Sequence, residues 1–497
     1  MSGAELVLGV DSSTTACKVL AFDRDGAVVA EGRASIPLEN PREGAWEQRP
    51  ERIWSAFVDA ARACLGVLDA ARVRGLAIAH QRETFVVTDE HGEPQASALT
   101  WMDHRCRGAV DGAVAALGAD RLHRISGKPP CTTPSLYKWL GQREREPDLA
   151  RRVTRLEDVH AFLVRRLTGE SVTSLAAADP LGLVDMQARA WSDELVALAH
   201  LEIAKLPRLV EVGAELGRIS ADAAAVSGLP AGLPVLAGAG DGQAAGLGAG
   251  ITGPGRAYLN LGTAVVSGVL AREYRYDRAY RTLFGTTPGS YFLETDLQGG
   301  TFTVNWLCER LLGRTLDVLP ELERAAAALV AGSNGLTLVP YWNGVMNPFW
   351  DDFASGIVVG LTGSHGPAHL YRALLEGIAF EQRLHSSGVE ADVGPIAEFV
   401  AMGGGSSSAL FCQILADVLA RPLVRSATRE ATALGAAMIA AVGSGLHGSF
   451  EDAAQAMCRD GERFVPGPDA TRYAELYERR YKLVYPALRP ILAATST

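Results

Sequence analysis

The sequence predicts an α/β protein of two domains, on three observations. At 497 residues the chain exceeds the usual size of a single domain. Short apolar runs bounded by glycine-rich or hydroxyl-rich turns alternate with stretches of helical apolar spacing. One arrangement, an apolar strand, a small polar turn and a return strand, stands at residues 6–22 and again at 257–271. It reads as an internal repeat, two copies of one fold facing each other. The chain restarts at Gly253-Pro254-Gly255, which puts the boundary between residues 1–252 and 253–497.

Composition narrows the function classes. The 48% hydrophobic and 21% charged fractions are those of an ordinary globular protein with a normal core. A net charge of −10 argues against nucleic acid as a partner, because backbone binding depends on basic patches. It leaves room for a nucleotide held by glycine loops, helix ends and Mg²⁺. Seven cysteines (17, 64, 106, 131, 308, 412, 458) are scattered, with no CxxC and no metal-ligand spacing. Reduced thiols and a cytoplasmic location are expected. No signal peptide and no membrane span are expected, since the N-terminus lacks a basic region and no segment has about 18 unbroken apolar residues.

Taken in order, LVLGV (6–10) and CKVLAF (17–22) are strands joined by SSTT (12–15), and DRDG (23–26) is a hairpin turn before a third strand at 27–36. Asp11 leaves the first strand facing hydroxyls and main-chain N–H groups. Such a turn suits terminal phosphates with Mg²⁺ near Asp11, or it is a hairpin whose hydroxyls satisfy only themselves. Residues 51–68 have helical spacing, with Ile53, Trp54, Phe57, Val58, Ala61, Leu65 and Leu68 on a core face. A strand at 72–80 ends at His80, and Gln81, Arg82 and Glu83 follow it. Polar side chains at a strand end make a hydroxyl-binding set or a surface ion pair. Asp103, in TWMDHR (100–105), joins the candidates for the same pocket. Mostly helix is expected over 107–166, broken at GKPPCTTP, then a connection over 173–186 and more helix over 191–227.

Pro234 to Gly250, PVLAGAGDGQAAGLGAG, ends a strand and opens into small residues around one carboxylate, Asp241. Small residues admit a close substrate, and a lone carboxylate there is placed to accept a proton. The alternative is that Asp241 caps the following helix. In the second half, Gly262-Thr263 repeats the N-terminal turn, GlyGly at 299–300 precedes a helix, and SGIVVGLTG (355–363) precedes another helix. FVAMGGGSSSALFCQILADVL (399–419) is a strand, a glycine triplet and a helix. Glycines opening a helix admit a ring or a phosphate, whereas a turn with a serine N-cap needs only one glycine. Residues 427–445 read as a packed helix and 446–497 as a helical tail. Gly248, Gly250 and Gly253 satisfy GxGxxG but lack the strand and helix of a dinucleotide site, and no P-loop occurs.

Together these pieces resemble the FGGY family of carbohydrate kinases, with its two actin-like (ribonuclease-H-like) domains and an ATP cleft between them. The match is most specific at GIVVGLTGSHGPAHLYRALLE (356–376). The Asp-Ser-Ser-Thr-Thr start, GDGQAAGLG, Leu-Gly-Thr at 261–263, GGGSSSALFCQ and REATALGAAM are also similar, in family order, over residues 5–445. The resemblance implies ATP-dependent phosphorylation of a sugar or polyol, with ATP and Mg²⁺ as cofactors and domains that close on substrate. It makes Asp241 the base and Asp11 the Mg²⁺-linked carboxylate. Ser13, Thr14, Thr15, Gly262 and Thr263 become phosphate contacts, and Gly404 and Gly405 the adenosine side. A homodimer is compatible with it.

The acceptor is read from the pocket. QRET (81–84) is similar to glycerol kinases, whose Arg and Glu bind glycerol hydroxyls, whereas WMDHR (101–105) and the glycine triplet are more similar to pentulose kinases. Two departures stand out: Leu136 replaces the lysine of the family's N-terminal signature, and Cys131 replaces the aromatic wall of glycerol kinases. A wider pocket, and so a ketopentose or a four- to five-carbon polyol, is expected, with glycerol as the alternative. A non-catalytic actin-like ATP-binding protein is the alternative from another class.

Overall fold

In the computed structural model, which describes residues 5–342, 344–351 and 353–495, β1 (Leu6–Ser12) and β2 (Ala16–Phe22) are almost wholly buried and pair antiparallel. Gly26, at φ +79°, closes the turn into β3 (Val28–Ser35), whose alternating exposure marks a sheet edge. With β4 (Val73–His80), β5 (Glu215–Arg218) and β6 (Pro234–Gly240) they form one sheet in the order β5-β6-β4-β1-β2-β3. The second half builds another sheet from β7 (Arg256–Leu261), β8 (Val265–Ala271), β9 (Arg281–Phe284), β10 (Tyr291–Leu297), β11 (Glu398–Met402), β12 (Leu423–Ser426) and β13 (Asp460–Phe464). Its order is β9-β10-β8-β7-β11-β12-β13.

The two sheets share one plan. In each, a central strand (β1, β7) pairs antiparallel with its successor and parallel with a later strand (β4, β11). A second parallel strand (β6, β12) and an antiparallel edge (β5, β13) complete it. The repeat read from two short strand–turn–strand units therefore extends to the topology, with β9 as the addition.

Helices cover both faces. Pro50 at its first position and apolar residues at Ile53, Phe57, Ala60, Ala61 and Cys64 seat α1 (Pro50–Leu65) on the first sheet, in one core with Leu6, Leu8 and Val10. The opposite face, bearing Val7 and Leu20, takes an alanine-rich helix from far along the chain. Among the helices between α1 and that one are α2 (Asp241–Gly248), α3 (Pro367–Val393) and α4 (Ala409–Leu419), and the alanine-rich helix is α5 (Ala431–Gly443). Glycines permit this approach: a Cβ on Gly9 would overlap the Ala433 carbonyl, one on Gly248 the Ala431 carbonyl, and one on Gly435 the Ala244 carbonyl. On the second sheet, Ala257, Leu259 and Leu261 face the core with α3 and α4, while Tyr258 and Phe292 face α2.

Three expectations need correction. Residues 191–227 are not continuous helix; Gly213 and Gly217, at φ +85° and +156°, break them around Arg208–Val210 and β5. The tail after 446 contains β13, whose alternation Asp460–Phe464 pairs with β12, and the helical stretch before 166 is interrupted by the strand Arg155–Asp158.

Candidate active site

Three parallel strands, β6, β4 and β1, lie side by side and end together, and their ends carry Asp241, His80 to Glu83, and Asp11 with Ser12. Carboxyl ends of parallel strands are where open α/β sheets bind ligands. Asp241 opens α2 directly after β6; its Oδ1 accepts from the Gly242 N–H at 2.8 Å and lies 3.2 Å from Arg82 Nε. A third of its side chain stays exposed. Burial raises its pKa, while Arg82 and then His80 pull it back. Asp241 does not cap α2, because Gly240 holds the cap position.

Asp11 is almost covered, and its Oδ1 accepts a hydrogen bond from Ser13 Oγ. Burial lifts its pKa to about 6, the Ser13 bond opposing and nearby Asp241 adding to the rise. Lys18 Nζ meets Glu430 at 2.5 Å beside it, joining β2 to the start of α5. Ser12 Oγ is buried with no partner among the described residues. Thr14 Oγ1 accepts from Trp101 Nε1 at 2.9 Å, its carbonyl accepts from Gln48 Nε2 at 2.5 Å, and Thr15 is exposed. The Ser13–Thr15 turn is thus held from outside while its own hydroxyls stay partly open.

Arg82 and Glu83 meet a second charged pair from the other sheet. Arg82 Nη1 donates to both oxygens of Glu294 at 2.9 Å, Arg281 Nε donates to Glu294 at 2.8 Å, and Arg281 Nη1 donates to Glu83 at 3.0 Å. Tyr258 OH adds a bond to Glu294 at 2.5 Å. Burial pushes the Glu294 pKa up, but the two guanidinium groups and Tyr258 overcome it and hold it at about 2. Lys128, 3.7 Å from Asp179, flanks the group. Glu83 sits at φ +54°, a conformation a non-glycine residue adopts only when its surroundings fix it.

Two expected pocket residues are turned away. Gln81 is fully buried, donating to Gln48 at 2.7 Å and accepting from Thr84 at 3.2 Å. Asp103 is fully buried too, its carboxylate taken by the Trp46 and Arg105 N–H groups and the Arg105 guanidinium. Both brace the loops behind the turn at Thr14. Leu136 is in the core, and the nearby buried lysine is Lys138, whose ammonium donates to the Thr133 carbonyl.

At the carboxyl end of β7, the Gly262 carbonyl accepts from Thr301 N and Oγ1 at 3.0 and 2.7 Å, and Thr263 is exposed. Of the glycine triplet, Gly403 needs its φ of +80°, and Gly405 is pressed against Leu261 and Thr301. Gly404 faces open space, and Ser408 caps α4. Packing accounts for two of the three glycines, and Gly404 leaves room for a ligand. Glu294, Arg281, Trp101, Lys18 and Glu430 were not expected from sequence; the signal was a Glu flanked by apolar residues in YFLETDL, where burial demands a partner. Among the described residues no group of three or more His, Cys, Asp or Glu could hold a metal ion. Mg²⁺ takes one or two carboxylates with phosphates and water rather than a protein cage, so Asp11 fits it.

Comparison with known proteins gives the family. Residues 6–248 match the N-terminal domain of the FGGY family of carbohydrate kinases and residues 257–444 its C-terminal domain. The chain is 29% identical over 487 residues to a xylulose kinase of Lactococcus lactis, covering 96% of each. It is 32% identical over 503 residues to a glycerol kinase of Dechloromonas aromatica, covering 97% of each. The crystal structure of a xylulose kinase from Rhodospirillum rubrum superposes with a TM-score of 0.91 at 30% identity, covering 98% of this chain and 100% of that one.

Proposed function

The chain belongs to the FGGY family of carbohydrate kinases and is an ATP-dependent sugar kinase of two-domain actin-like fold; from this premise we propose that its acceptor is a ketopentose of the xylulose or ribulose type or a four- to five-carbon polyol. The observation that carries transfer to a sugar or polyol hydroxyl is Asp241 beside Arg82 at adjacent strand ends, and Cys131 in place of the aromatic wall of glycerol kinases favours the longer acceptor. Asp241 takes the proton of the attacking hydroxyl, that oxygen bonds to the γ-phosphorus, and ADP leaves. Arg82 and Glu83 orient neighbouring hydroxyls, one donating and one accepting. Ser13, Thr14, Thr15, Gly262 and Thr263 contact phosphates, and Gly404 with Gly405 admits the adenosine. Mg²⁺, held by Asp11, supplies charge neutralisation at the phosphates when bound. The chain divides at residues 252 and 253, acceptor side first and nucleotide side second. Seven cysteines outside any disulfide fit the cytoplasm as its location, and no described helix is long and apolar enough to cross a membrane.

ADP release with xylulose, ribulose, erythritol and glycerol tests the acceptor. The longer substrates should exceed glycerol in kcat/KM by about tenfold or more, since a site built for a hydroxyl discriminates against its absence. Glycerol matching all three would favour the second reading, a glycerol kinase, which rests on Arg82 and Glu83 in the QRET stretch and on the glycerol kinase relatives. Asp11→Ala should weaken Mg²⁺-dependent ATP use, because a hard cation needs a carboxylate or its bound waters beside the phosphates. An unchanged Mg²⁺ titration in that variant would remove Asp11 from the metal-linked role.

A further inference from the structure

We propose that Asp296 is a specificity-determining residue, accepting a hydrogen bond from the outermost hydroxyl of a four- or five-carbon acceptor. The inference rests on the acceptor class proposed above. β10 alternates: Leu293 and Leu297 enter the core with α3, so Glu294 and Asp296 share the other face, the one that meets Arg82. Asp296 Oδ1 is buried and has no hydrogen-bond partner among the described residues. Its backbone N–H is held by Asn347 Oδ1 at 2.9 Å, which fixes the residue in place.

Charge balance does not explain this carboxylate. Arg281 is already occupied by Glu294 at 2.6 Å and Glu83 at 3.0 Å, and Asp296 lies 3.8 Å from it, beyond hydrogen-bond reach. A largely buried carboxylate with an open oxygen is unfavourable unless a donor arrives. Burial accordingly lifts its pKa to about 6 against the pull of Arg281.

Its place in the site identifies the donor. From Asp241 the charged groups run through Arg82, Glu294 and Arg281, and Glu83 and Asp296 both lie against Arg281 at the far end. A substrate with its reacting hydroxyl at Asp241 and its middle hydroxyls at Arg82 and Glu83 reaches Asp296 only with its last carbons.

The test is steady-state kinetics of Asp296→Asn and Asp296→Ala with glycerol, erythritol, ribulose and xylulose, alongside calorimetric binding of the same four compounds. The expected result is KM and Kd raised about tenfold or more for the best longer substrate, with glycerol parameters and the Mg²⁺ requirement unchanged. Equal losses for glycerol and longer substrates mark a merely structural role and overturn the inference alone. A shifted Mg²⁺ requirement with every substrate, or no change at all, overturns it too. Wild-type protein that neither binds nor phosphorylates any of the four overturns the acceptor class and this inference with it.

Discussion

Asp241→Asn is expected to keep the fold and nucleotide binding while lowering kcat by about 10²- to 10⁴-fold, the usual loss when a general base is removed. The substitution is nearly isosteric. Asparagine can still accept from the Gly242 N–H, and Arg82 retains its two bonds to Glu294. What disappears is the group able to take a proton beside the acceptor hydroxyl. Burial raises the Asp241 pKa, while Arg82, His80 and the N-terminal end of α2 keep the charged form within reach. Wild-type kcat should therefore fall on acidification at a pH above the ordinary aspartate range. The residual activity of the variant should lack the part of that limb due to Asp241. A kcat within about threefold of wild type would release Asp241 from the role of base.

Glu294→Ala is expected to destabilise the protein by about 3–5 kcal/mol, the range for breaking a buried ion pair from one side. Glu294 is fully covered and serves Arg82, Arg281 and Tyr258 at once. Without it two guanidinium groups remain in the interior, with Asp241, Glu83 and the more distant Asp296 to offset them. Arg82 also loses the bidentate anchor that aims it, so acceptor KM should rise in whatever protein folds. Urea denaturation followed by tryptophan fluorescence measures the first effect. Glu294→Gln, which keeps the shape, should lose less. A loss below about 1 kcal/mol for the alanine variant would show that this buried network does not hold the two sheets together.

What could be read from the sequence was whatever is local. Asp11, Arg82, Glu83 and Asp241 each follow an apolar run that ends in polar residues, and the structure sets all four at strand ends. Gln81 and Asp103 carry the same kind of signal but point inward, because neighbouring side chains of a strand-end loop alternate and each finds partners nearby. Nothing local distinguishes them. Arg281 and Glu294 answer Arg82 and Glu83 across about 200 residues, a pairing that only the stacking of the two halves creates. Helix periodicity failed over 191–227 for a related reason, since positive-φ glycines there serve a sheet edge rather than a helix.

The seat of α5 on the first sheet has a consequence for synthesis. Val7, Leu20, Ala77 and Leu236 lie on a face that Ala433, Leu434, Ala437 and Met438 cover. On the ribosome, strands β1 to β6 emerge long before residues 431–443 exist, so that apolar face stays bare through translation of most of the second half. The first sheet reaches its final core only near the end of translation, and its nascent form is the species most in need of a chaperone.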